Sequence, residues 1–355
     1  DSIPVSSYKN GFEYGEKEYL KVTLVLEIVL SALFVLGVIE KITSKTVLFP
    51  SSVAESISSS VNFSRIYTML YNPNTFALFV TLVFFLCVFK WILYKKKTSI
   101  IIYAIIVCSL FLSMSRSSLI LLGIGIIAVA FIFILQGDWK KYILKVATSV
   151  VLIGVISVVA ISSIKWASSA YYYTFLENTS EIENKIEQSL EAGTLDRLDE
   201  MTTSEIVDKS AANGRVYSVK KGLSIFKDYP IFGTGFGTYG SGASQNWTPP
   251  TYEKYDVFKG FYSDNEYIKI LVETGIVGTV LFLSFLMITF LKYRHESLKV
   301  LLCVSVAWFG LFYNIFEIQI GMLIVWSILA FKTPDLHLVE KIKSFGKRRS
   351  NHVNS

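Results

Sequence analysis

Four short stretches of the chain hold side chains with chemistry to offer: Arg65 in "SRIYTMLYNPNT", Arg116 in "SMSRSSLILLGIG", Arg215 in "NGRVYS" and Asp264 in "GFYSDNEYIKILVETG". A guanidinium is planar, permanently charged and gives two parallel hydrogen bonds, so arginines gathered on one side suit a phosphate or pyrophosphate. Singly, Arg65 and Arg215 read as surface residues; as a trio with Arg116 they read as a phosphate clamp. Arg116 interrupts two apolar runs that would otherwise be continuous. A cation buried there is costly unless it snorkels or meets an anion, and the plainer reading is a hairpin arginine touching lipid phosphates. Asp264, with Asn265 and Glu266, stands at the lip of another apolar run. A carboxylate there either caps the free amides of a first helical turn or accepts a proton.

Other chemistries find no support. The histidines, His295, His337 and His352, fall in polar connections or the tail, on the side opposite the arginines, so neither a zinc site nor a histidine base is available beside them. "GTGFGTYG" fails the dinucleotide fingerprint, because Thr238 stands where its third glycine belongs, and reads as a turn after Pro230. There is no G-x-S-x-G elbow. Cys87, Cys108 and Cys303 each lie in an apolar run, so no disulfide framework is implied.

The elements that must position these residues are membrane helices. Of 355 residues 52% are hydrophobic and only 17% charged, with mean hydropathy +0.49, against about 25% charged in soluble domains. Apolar runs of the length that crosses the hydrocarbon lie near 20–40, 76–94, 99–115, 117–135, 143–164, 266–291, 298–313 and 315–331. The expected fold is an all-α polytopic membrane protein of about eight transmembrane helices with one large extracytoplasmic loop. The basic connections "YKKKTS", "GDWKKYILK" and "LKYRHES" and the tail "KIKSFGKRRSN" come out together on the cytoplasmic side, with both termini. They account for the net charge of +6 and leave no basic face for nucleic acid. Residues 1–164 then hold about five spans with an outer loop at 41–75. Residues 165–265 form the large outer loop, partly helical, 266–331 hold about three more spans, and 332–355 are a basic tail. Within the large loop, Ile182, Ile186 and Leu190 suggest a solvated surface helix. A second helix, bounded by Asn213-Gly214 and Pro230, sets Val216, Val219, Leu223 and Phe226 on one face, to lie against the membrane domain. The chain starts at Asp with no signal peptide ahead of the first span, a beginning consistent with missing N-terminal helices.

With these pieces in order, the chain resembles the membrane glycosyltransferase family that includes O-antigen ligases and the polymerases of O-antigen and capsule. The matching stretches are "YNPNTFALFV", "SMSRSSLILLGIG", "NGRVYSVKKGLSIFKDYPIFGTGFGTY" and "DNEYIKILVETGIVG". The resemblance implies a substrate carried on undecaprenyl pyrophosphate, no metal, no nucleotide sugar and no cofactor. It places the family's essential arginines on Arg116 and Arg215; Arg65 is a weaker third, and Arg65, Asn72, Asn74 and Asn265 are the candidate substrate-binding residues. Where ligases carry a histidine before the asparagine, this chain has Asp264, which leans toward the polymerases. A sugar hydroxyl attacking an anomeric carbon needs its proton taken, and Asp264 is the candidate base.

The expected activity is a single inverting displacement at the outer face of a bacterial cytoplasmic membrane. It joins lipid-linked repeat units into a surface polysaccharide while arginines stabilise the departing pyrophosphate. The expected partners are the lipid-linked oligosaccharide, membrane lipids, a flippase and a chain-length regulator. The alternatives are ligase-type transfer of finished glycan to lipid or protein, and a transporter or flippase for lipid-linked sugars. The transporter lacks support from internal symmetry, and Glu317 with Gln319 is the only polar pair in a late span. "AYYYTF" (170–175) and Trp247, Tyr252, Tyr255 and Tyr262 either stack on sugars or, by default, anchor at the membrane interface.

Overall fold

The computed structural model describes residues 5–43, 65–66, 68–70, 72–136, 139–175 and 214–330. The chain divides into two compact units, Asp1–Leu198 with Phe331–Ser355, and Asp199–Ala330. All regular structure among the described residues is helical.

The first unit holds α1 (Val5–Thr43), α2 (Pro73–Tyr94), α3 (Ile100–Ser113), α4 (Arg116–Gln136) and α5 (Trp139–Phe175). Apolar all round, α2 takes the centre, with α1, α3 and α4 packed on it and Phe76, Phe85 and Phe89 fully buried. Its start follows from local chemistry: Asn72 caps it by accepting from the amide of Asn74, and Pro73 occupies the first turn, where no amide hydrogen is missed. Lys95, at φ 56°, ends it, and Ser99 caps α3 through the Ile101 amide. Between α1 and α2 the Tyr19 hydroxyl donates to Leu86 O at 2.8 Å, and Glu27 accepts from Lys90 at 2.8 Å and Thr98 at 3.1 Å. An intramembrane carboxylate is thereby neutralised. The expected span ending at 164 runs on to Phe175, since no glycine or proline breaks the run after Ile164, so "AYYYTF" is helical rather than loop.

The second unit holds α6 (Arg215–Asp228), the short α7 (Gly242–Asn246) and α8 (Pro250–Lys254), then α9 (Glu266–Tyr293), α10 (Ser297–Gly310), a 3-10 turn at Ile315–Glu317 and α11 (Gln319–Ala330). Tyr239, Tyr252, Phe261, Ile225, Val257 and Val272 form its aromatic core beneath α6 and the start of α9. The packed face of α6 is not the expected one. Ser218, Gly222 and Ile225 are buried, while Val216 and Leu223 are exposed. Small residues win because they let α6 close on α9: a Cβ on Gly222 would lie 2.5 Å from Ile268. Tyr252 belongs to this core, at 1% exposure, which removes it from both sugar stacking and interface anchoring.

α9 is broken at Gly275, whose φ of 63° and ψ of −162° are outside the helical region. The break frees backbone groups, and the turn after α6 takes them up. Thr234 and Gly235 amides donate to Val272 and Glu273 carbonyls at 2.9 Å, while Ile276 and Val277 amides donate to Pro230 and Ile231 at 2.8 and 3.2 Å. "PIFGTG" is therefore a strap plugged into a helix break. The apolar stretch after the break, Ile276 to Tyr293, is about 27 Å long at 1.5 Å per residue, close to the hydrocarbon thickness. Val280, Leu281, Leu283, Met287 and Ile288 stand exposed along it, as lipid-facing residues do.

Four helices have the length and apolarity to span a membrane: Glu16–Thr43, Pro73–Tyr94, Ala147–Tyr171 and Glu266–Tyr293. The remaining apolar helices, Ile100–Ser113, Arg116–Ile127, Leu298–Gly310 and Gly321–Ala330, are shorter. The helix expected around 182–190 lies outside the described residues, as does much of the expected large loop.

Candidate functional site

In the second unit the candidate residues are held by a network at the start of α9. Asp264 sits between two pinned neighbours. The Ser263 amide donates to Gly240 O at 2.9 Å, and the Ser263 hydroxyl meets that of Ser218, on α6 three residues after Arg215, at 2.9 Å. On the other side Asn265, not Asp264, caps α9: its side chain accepts from the Ile268 amide at 3.0 Å and donates to Leu311 O at 3.1 Å. The capping role weighed for Asp264 is thus filled by its neighbour. Tyr262 donates to Glu317 Oε2 at 3.2 Å. Burial, then the negative charge of Glu317, with a smaller contribution from Asp264, pushes the Tyr262 phenol well above its ordinary value and keeps it a protonated donor.

Glu317 is the hub of this network. Its other oxygen pairs with Lys269 at 2.9 Å, and Lys269 also pairs with Glu266 at 2.9 Å. The Gly242 amide donates to Glu317 Oε2 at 3.1 Å, and the Phe316 amide donates to Glu266 Oε2 at 3.2 Å. One cation between two carboxylates therefore ties α7, α9 and the 3-10 turn together. Glu317 does not lie within a membrane helix as its sequence context suggested, but in the 3-10 turn before α11.

Arg215 is the first residue of α6, after Gly214, which gives no side-chain cap. Its guanidinium lies 5.3 Å from the Phe312 ring centre and 5.6 Å from that of Tyr313, and its buried Nε has no hydrogen-bond partner among the described residues. The two rings attract the cation without using its N–H groups, which leaves hydrogen-bonding capacity for a ligand. A helix N-terminus with uncapped amides adds a partial positive charge at the same place. The unit thus presents a donor of charge-assisted hydrogen bonds and, joined to it through Ser218 and Ser263, a carboxylate on a pinned backbone.

In the first unit Arg65 Nε donates to Ser113 O at 2.6 Å and its Nη2 to Asn74 Oδ1 at 2.7 Å, while the Ile66 amide donates to Leu112 O at 3.0 Å. The segment thereby satisfies carbonyls at the C-terminal end of α3 that have no partner within the helix. Arg116 begins α4 beside the buried hydroxyls of Ser115, Ser117 and Ser118. The structure therefore gathers Arg65, Asn72, Asn74 and Arg116 where α2 and α4 begin and α3 ends. In this arrangement Asn72 caps a helix and Asn74 orients Arg65. Arg116, like Arg215, is a cation in the first turn of a helix.

The Glu266, Lys269 and Glu317 network was not legible as a set. Lys269 follows Glu266 at helical spacing, a signal that was present, but Glu317 lies far along the chain and joins them only through the fold. Tyr255, offered for stacking, instead donates to Asp228, and Trp247 is exposed. No group of three His, Cys, Asp or Glu side chains able to hold a metal occurs among the described residues.

A family profile described as O-antigen ligase matches residues 101–283, just over half of the chain. A search of curated proteins gave no match.

Proposed function

We propose, from the premise that the chain belongs to the O-antigen ligase family of membrane glycan-transferring enzymes, that it polymerises undecaprenyl-pyrophosphate-linked repeat units into a surface polysaccharide at the outer face of the cytoplasmic membrane. The observation that carries this reading is Arg215. Its guanidinium is oriented by two aromatic rings and keeps an unpartnered donor, in one unit with the carboxylate of Asp264. In the proposed reaction the terminal hydroxyl of an acceptor repeat gives its proton to Asp264 and attacks the anomeric carbon of the donor. The glycosidic bond forms as the bond to the pyrophosphate oxygen breaks, and the configuration inverts. Arg215 stabilises the charge developing on the pyrophosphate. The basic clusters of the connections favour the outer face.

Asp264 standing where ligases carry histidine favours a polymerase. The family's description favours the second reading, transfer of finished glycan to a final acceptor. The glycan profile of a deletion strain separates them. Single repeat units accumulating on the lipid carrier are expected. Long chains lacking their final anchor would instead establish a ligase, and a normal profile would remove both.

A further inference from the structure

Asn314 is fully buried directly after the Phe312 and Tyr313 rings that carry Arg215. It stands at the N-cap position of the 3-10 turn, where an asparagine side-chain oxygen ordinarily accepts from a backbone amide, yet it makes no such bond. Its Nδ2 is committed, donating to Gly240 O at 2.7 Å. Its Oδ1 is buried with no partner among the described residues. An amide oxygen removed from water without a hydrogen bond is costly, and native structures seldom leave one so. Two orphaned atoms thus belong to residues beside the same aromatic pair, one by contact and one by sequence: Arg215 Nε, which needs an acceptor, and Asn314 Oδ1, which needs a donor. A phosphoryl oxygen satisfies the first and cannot satisfy the second. A hydroxyl group satisfies the second. A sugar attached to a phosphate supplies both within one ligand.

The geometry points to Asn314 as a substrate-binding residue that accepts from a hydroxyl of the sugar joined to the pyrophosphate, making it a determinant of which glycan the protein takes. This rests on the reading of Arg215 as a phosphate ligand and extends it to the neighbouring ring. Sugar recognition by a site built to hydrogen-bond a hydroxyl discriminates sharply against ligands that lack it.

The test uses the full chain in nanodiscs and four probes: geranylgeranyl pyrophosphate without sugar, and the same lipid pyrophosphate carrying glucose, galactose or N-acetylglucosamine. In the wild type at least one glycosylated probe is expected to bind tighter than the bare lipid. Asn314→Ala is expected to erase that gain, about fivefold to twentyfold for one hydrogen bond, while leaving the bare lipid's affinity unchanged. Mono-deoxy analogues of the sugar that shows the gain decide the question on the wild type if the alanine variant does not fold: one of them is expected to lose the gain. Equal weakening of bare and glycosylated probes, a gain that survives in Asn314→Ala, a gain kept by every deoxy analogue, or no gain in the wild type would each overturn the assignment. Arg215→Ala is the separate control: it should weaken every probe, bare lipid included. If bare-lipid binding survives it, the phosphate reading of Arg215 fails independently of the result at Asn314.

Discussion

Cap and base at Asp264 are separable because the neighbouring Asn265 already supplies the cap. Asp264→Asn should therefore leave protein levels and melting temperature unchanged while polymer synthesis falls, about a hundredfold or more for loss of a general base. Asp264→His, which restores the ligase-type residue and an imidazole able to accept a proton near neutral pH, should keep part of the activity. Wild-type polymer from the asparagine variant would send the search for a base elsewhere. Arg215→Lys tests the fork itself. An ammonium cannot give two parallel bonds, so the loss in turnover should exceed the ~1 kcal/mol of a surface ion pair, and Arg215→Ala should lose more. Initial rates at matched membrane protein levels check both. At this scale the sequence was a fair guide to residue type and a poor one to residue duty. The four stretches supply the charged groups Arg65, Arg116, Arg215 and Asp264, and the structure adds what surrounds each. Asn72 and Asn265 are helix caps, however, and a cap is visible only once the helix boundary is known to the residue.

Two devices hold the candidate site at the level of elements, and each makes a prediction. Lys269 is wedged between Glu266 and Glu317, with 8% of its side chain exposed. Lys269→Met fits the volume but leaves two carboxylates facing one another, and removing one partner of a buried ion cluster costs about 3–5 kcal/mol. Thermal unfolding in detergent should show the loss, with a further drop in activity because Glu317, the common partner of Tyr262 and Gly242, loses the cation that holds it. The second device is the strap. A Cβ at Gly275 would lie 2.3 Å from Ile231 O, and one at Gly233 would lie 2.4 Å from the Glu273 carbonyl carbon, both at positive φ. Either alanine variant should destabilise the unit by about 2–4 kcal/mol, combining backbone strain with steric conflict. Faster limited proteolysis within 229–235 would locate the effect, and an unchanged cleavage rate would refute it. Composition and spacing predicted a turn at "GTGFG" but not what it turns around, because the helix break lies some forty residues further along a run that reads as one continuous span.

For the whole molecule, the apolar runs carried most of the legible content. The long helices fall where the runs predict them, and four meet the requirements for spanning. Helix ends were less legible: α5 extends past its apolar run because nothing in its sequence stops it, and α9 contains a break that hydropathy does not register. Sidedness remains a matter of charge, and labelling tests it directly. Single cysteines replacing Ser189 and Gln245 should react with an impermeant thiol reagent on intact cells, whereas one replacing Ser344 should react only after lysis. Labelling confined to Ser344 would invert the topology. The strap between Pro230–Gly235 and Gly275 also has a consequence for how such sequences drift. Each glycine is needed because the other segment's backbone occupies the space its side chain would fill, so neither can acquire a side chain alone. Among relatives, positions 233 and 275 should change together or not at all, and a chain that loses one glycine should also carry a remodelled turn or an unbroken helix.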